Sequence, residues 1–131
     1  MLLHELNREE MVAFLELAHL VAKANGIIDE NEKIMLDTYK KEMGLENSYE
    51  LKDLQLEEIV PNFVHNRSKR IAFLESISVA FADGIYHEEQ KNLIAELRHA
   101  FEISLEDYEN FKAWIIKVNA LHIQANEMVG A

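Results

Sequence analysis

The side chains best suited to holding a cation sit in two short stretches, "AKANGIIDENEK" (Ala22 to Lys33) and "AFADGIYHEEQK" (Ala80 to Lys91). The first offers the oxygens of Asn25, Asp29 and Glu32; the second offers Asp83, His87 and Glu88. Hard cations such as calcium take oxygen ligands, and an EF-hand loop draws them from its first, third, fifth, ninth and twelfth places around a glycine in the sixth. With Gly26 sixth, Asn25, Asp29 and Glu32 fall on the fifth, ninth and twelfth places, but Val21 and Lys23 occupy the first and third. With Gly84 sixth, Val79 and Phe81 occupy the first and third, and Gln90 the twelfth. Neither stretch is an EF-hand. Each is at most half of a weak divalent-cation site, completed by water or by acids from elsewhere in the fold. The same acids have a structural use, because a helix start presents unpaired amides and the positive end of its dipole. On sequence, both uses stand.

A second metal pattern is the pair "ELAH" (Glu16 to His19) and "ELRH" (Glu96 to His99), two Glu-x-x-His motifs such as di-iron bundles place on facing helices. Di-iron ligands must point inward. On a helical wheel Glu16 and His19 group with Lys23, opposite Phe14, Ala18 and Val21, while Glu96 and His99 group with Asn92, away from Leu93, Leu97 and Phe101. Both pairs are therefore expected in water, as solvated helix faces. Ser76 and Ser78 lie mid-helix without a glycine-bounded elbow, and no glycine-rich phosphate loop follows a strand. No catalytic residues and no firm cofactor are read here, and the expectation is a non-enzymatic protein.

Composition narrows the setting. The chain has 131 residues and no cysteine, which excludes disulfides, thiolate metal sites and a Cys nucleophile, and fits a reducing cytoplasm. Its 24 Asp and Glu against 13 Lys and Arg give a net charge of −11, a field that repels phosphate backbones, so nucleic acid is not an expected partner. The basic run "NRSKR" (Asn66 to Arg70) is better placed to decorate the start of a helix and pair with acids. No stretch suits a signal peptide or a membrane span.

Apolar residues recur at steps of three and four and strand signals are nearly absent, so the expected fold is an all-α single domain of five to six helices. Asn7 with Glu10 caps a first helix to about Ala24, and Asp29 with Glu32 opens a second, ending at Gly44. Leu51 to Val60 is expected as a short acidic helix stopped by Pro61. A fourth helix over about Ser68 to Ala82, apolar nearly all round, should be central. A fifth follows from Glu88 to Phe101, and Ser104 with Asp107 starts a long last helix (about 104–128) whose stripe is Tyr108, Phe111, Ile115, Val118 and Leu121 or His122. Trp114 on that helix is expected in the core; exposed, it would mark a docking surface.

Shifting the chain by 58 residues, the separation of Gly26 from Gly84, superimposes the two opening stretches at Ala22, Ala24, Gly26, Ile27, Glu30 and Lys33, and sets "MGL" against "FEI". The duplicated unit is a helix-turn-helix, about 8–45 and 66–103, within one domain spanning 1–131. Two helix pairs each turning through A-x-A-[ND]-G-I-x-x-E resemble the tellurite-resistance TerB family and its TerB-like relatives. That resemblance implies a small bacterial helical protein that binds divalent cations through acidic residues and serves a stress-response assembly, with no enzymatic reaction. A metal-free helical domain that docks a protein partner is the alternative.

Overall fold

A computed structural model describes residues 2–24, 30–45, 49–82 and 85–130, and of residues 30–32 the backbone alone. Among the described residues the secondary structure is entirely helical: α1 (Arg8–Lys23), α2 (Glu30–Glu42), α3 (Leu56–Ile59), α4 (Asn66–Ala80), α5 (Glu88–Ala100) and α6 (Leu105–Val129). A 3₁₀ turn, Leu3–Glu5, precedes α1, and another, Val60–Asn62, extends α3 through Pro61.

The caps follow local chemistry. The Asn7 side chain accepts from the Glu10 amide at 2.9 Å, and Glu10 Oε1 accepts from the Asn7 amide at 2.9 Å, a reciprocal box that satisfies two orphan donors of α1. Ser104 Oγ accepts from the Asp107 amide at 3.0 Å and starts α6 in the same manner. At the end of α2, Gly44 takes φ 71°, so that Leu45 N–H reaches back to the Lys40 carbonyl at 2.8 Å. The end of α5, 58 residues later, has the same closure: Glu102 takes φ 56° and Ile103 N–H reaches the Arg98 carbonyl at 3.0 Å. Bounds repeat at that spacing too, with α1 and α4 starting at Arg8 and Asn66, and α2 and α5 spanning Glu30–Glu42 and Glu88–Ala100. Gly26 and Gly84, whose separation defines the repeat, lie outside the described residues.

The core gathers on α1 and α4, which pack on one another; α2, α3 and α5 also pack on α1, and α5 and α6 on α4. Phe14, Leu15, Leu17, Phe73, Ile77, Ile94, Leu97 and Ile115 are fully buried, and burial of side chains this size is the main favourable term in folding. Helix α4 is the central element its all-round apolar pattern predicts. Its basic start pairs with acids: Arg67 grips the Glu5 carboxylate at 2.8 and 2.9 Å, and Arg70 reaches Asp107 at 2.9 Å.

The third helix and one residue of α1 depart from expectation. Residues 51–55 are not helical, and the helix expected from Leu51 begins at Leu56 and runs on through Pro61 as a 3₁₀ turn. Proline at this point sits within the first two positions of the turn, where its missing N–H costs nothing. The second departure is Glu16, which is fully buried instead of facing water.

Candidate functional site

Of the six residues proposed to hold a cation, Asn25, Asp29 and Asp83 lie outside the described residues, as does the side chain of Glu32. The structure places the other two at the start of α5. His87 is the N-cap residue, and its amide donates to Gln90 Oε1 at 3.3 Å. Glu88 is exposed and 4.0 Å from the Lys91 ammonium. Gln90, which stands where an EF-hand has its bidentate glutamate, is buried; its Nε2 donates to the Val21 carbonyl at 3.2 Å. That side chain ties the start of α5 to the last turn of α1, a structural task that leaves it turned away from solvent. Among the described residues no three His, Asp or Glu side chains gather in a way that could hold a metal ion.

The Glu-x-x-His pair on α5 is exposed at both Glu96 and His99, as the wheel predicts. The pair on α1 is not. Residues 49–55 cross the face of α1 that the wheel assigns to water, and Glu16 holds them there. Its Oε2 accepts from the Tyr49 hydroxyl and from the Lys52 amide at 2.7 Å, and its Oε1 from the Leu54 amide at 3.1 Å. Burial pushes this carboxyl up, but the Lys52 amide, the Tyr49 hydroxyl, the Leu54 amide and the nearby His19 together outweigh burial and hold it below its ordinary value. Three donors hold the buried carboxylate, so it anchors a segment and is a poor general base. One turn along, Asp53 takes φ 61° and receives Lys23, with His19 Nε2 at 3.1 Å. Sequence periodicity did signal this: Ala13, Phe14, Leu15, Leu17 and Ala18 surround Glu16 with apolar residues on every side, which requires cover on the second face as well.

The helix that remains most open is α6. Its inner stripe follows expectation at first: Ile115 is buried, and Tyr108, Phe111 and Val118 are half-buried. Phe73 on α4 meets the rings of Tyr108 and Phe111 with centroids 6.1 Å away in both cases, and the Arg70 guanidinium lies 5.1 Å over Phe111. Beyond residue 119 every described residue of α6 is exposed. Leu121 is 62% exposed and Met128 83%, and Trp114 at 43% is not the core residue it was expected to be. Where α6 leaves the body, Asn119, His122 and Ile123 form one wall of an open cleft of about 420 Å³; Met35 and Tyr39 of α2, with Ser78, Phe81 and Ala82 at the end of α4, line the rest. The Tyr39 hydroxyl donates to buried Glu75 at 3.4 Å, and burial, reinforced by that carboxylate, pushes the phenol well up, so it stays neutral.

No helix of the described residues is long and apolar enough to cross a membrane. Compared with family models, with curated proteins and with solved structures, the chain matches none.

Proposed function

We propose that the chain is a non-enzymatic helical interaction module that docks a protein partner through the outer face of α6. The observation that carries this reading is the exposure of Trp114 in line with Leu121 and Met128 on one helix. Contiguous apolar exposure of this kind marks interaction sites, and tryptophan is enriched at binding hot spots. The non-enzymatic part draws support from Glu16, whose carboxylate is committed to three donors, and from the solvated Glu96 and His99. A photo-reactive residue placed at Leu121 in living cells is expected to give adducts of higher mass, while the same group at Glu127, an exposed position turned well away from the Trp114–Leu121–Met128 line, gives none. Trp114→Ala should remove the Leu121 adducts at a stability cost no larger than about 1–2 kcal/mol, well below the ~3–5 kcal/mol of a core aromatic. Adducts equally strong at Glu127, or none at Leu121, would sink the docking face.

A second reading comes from the duplicated turns: a TerB-like module of the bacterial cytoplasm whose acids hold a divalent cation weakly within a stress-response assembly. Under it, millimolar calcium raises the melting temperature, because a ligand bound only by the native state adds RT ln(1 + [L]/Kd). Asp29→Asn and Glu32→Gln would then abolish that rise and leave the calcium-free protein nearly unchanged, since Asn caps a helix as well as Asp. No heat and no melting shift up to millimolar calcium would remove the cation from the account.

A further inference from the structure

Along α6 the residues Phe111, Trp114, Val118, Leu121, Ala125 and Met128 recur at alternating steps of three and four, the heptad seam of a coiled coil. This seam is rotated away from the inner stripe centred on buried Ile115, so the body of the molecule covers its beginning and leaves Trp114, Leu121 and Met128 open. We infer that the partner on this seam is a second copy of the same chain, its α6 lying antiparallel to the first; the inference rests on the docking reading above.

Three observations select that occupant. The seam is self-complementary, since antiparallel pairing sets Phe111 against Met128, Trp114 against Ala125 and Val118 against Leu121 of the other copy, large beside small at the tryptophan. Charge is the second. Lys117 and Glu127 are the formal charges of residues 113–131 and cancel, so the rest of the chain carries the whole −11. A basic partner is drawn to that acidic remainder and an anionic lipid surface is repelled by it, whereas a neutral seam accepts another neutral seam. The same charge sets the direction. Parallel helices would put two −11 bodies side by side; antiparallel ones put them at opposite ends of an overlap of roughly 27 Å, beyond the ~8 Å screening length of physiological salt. The third observation is that residues 120–129 stand as an exposed helix of about three turns, a length that is marginal alone in water and gains from a second helix.

A seam of two and a half heptads sits at the small end of specific interfaces, which places the dimer in the micromolar range. Sedimentation of the purified full chain from about 1 to about 300 µM is expected to show reversible dimerisation, with the charged variant Leu121→Lys at least ~30-fold weaker because it places an unpaired charge in the seam. Leu121 is exposed in the single chain, so that variant keeps its helical circular dichroism and melting temperature. Orientation is read from the natural absence of cysteine: Trp114→Cys mixed with Ala125→Cys should form a mixed disulfide dimer in preference to either self-dimer, the reverse of a parallel pair. A chain that stays monomeric at ~300 µM, a Leu121→Lys variant that dimerises as well as the parent, or binding to anionic vesicles without self-association overturns the inference. A monomer that still yields Leu121 adducts with another protein overturns it while leaving the docking face intact; a monomer without adducts overturns both.

Discussion

Glu16→Ala should cost about 3–5 kcal/mol, a large share of the ~5–15 kcal/mol that holds a domain of this size together. The substitution removes the shared acceptor of the Lys52 amide, the Leu54 amide and the Tyr49 hydroxyl at a fully buried position. Donors left unpaired under cover are the expensive outcome, more so than the loss of the bonds themselves. Residues 49–55 are then expected to lift from α1, and protease cleavage within them should rise before global unfolding. Glu16→Gln keeps the shape and one acceptor oxygen but turns an amide N–H toward a donor, so its cost should be about half as large. The pH dependence has a definite sign. The folded carboxyl is held below its ordinary value, so its contribution is complete above the unfolded pKa of about 4.3 and is lost as pH falls through the folded value. The gap between parent and Glu16→Gln, measured by urea unfolding, should therefore be widest near neutrality and narrow below about pH 4. A loss under about 1 kcal/mol for Glu16→Ala, with residues 49–55 still protected, would show that other contacts hold the segment and that the carboxylate does not.

This anchor also explains what could and could not be read beforehand. Asn7, Ser104 and Gly44 were legible because a cap and its partners lie within three or four residues of one another, so the physics is written in adjacent letters. Residues 51–55 looked helical because their composition allows it; their amides are instead claimed by a carboxylate 36 residues upstream of Lys52, a competition no local window contains. Glu16 was misplaced for the complementary reason. A helical wheel ranks faces by polarity, and one glutamate outweighed the apolar residues beside it until the covering segment was visible. Trp114 shows a third limit. Helix α6 is apolar over more than half its circumference, and periodicity cannot say which part the body covers; packing on Phe73 decides that Ile115 faces in and Trp114 out. The acidic turns were the most legible chemistry in the sequence, yet the one twelfth-place residue whose side chain the structure describes, Gln90, is occupied in joining α5 to α1.

Phe73→Ala tests whether α4 holds α6 where the docking face needs it. Phe73 is fully buried and supplies the ring against which both Tyr108 and Phe111 pack, so its truncation deletes packing on two residues of α6 at once. Loss of a buried phenylalanine costs about 3–5 kcal/mol, the transfer of the ring plus the cavity left behind, which for a chain of this length lowers the melting temperature by about 10–20 °C. The comparison with Trp114→Ala is the informative part. Both are aromatic-to-alanine changes one helix turn or one helix layer apart, yet the inner one should fall mainly on stability and the outer one mainly on association. Phe73→Leu refills most of the cavity and should recover more than half of the lost stability. If Trp114→Ala destabilises the chain as much as Phe73→Ala, the outer face of α6 belongs to the core, and neither the docking surface nor the paired helix has a place to form.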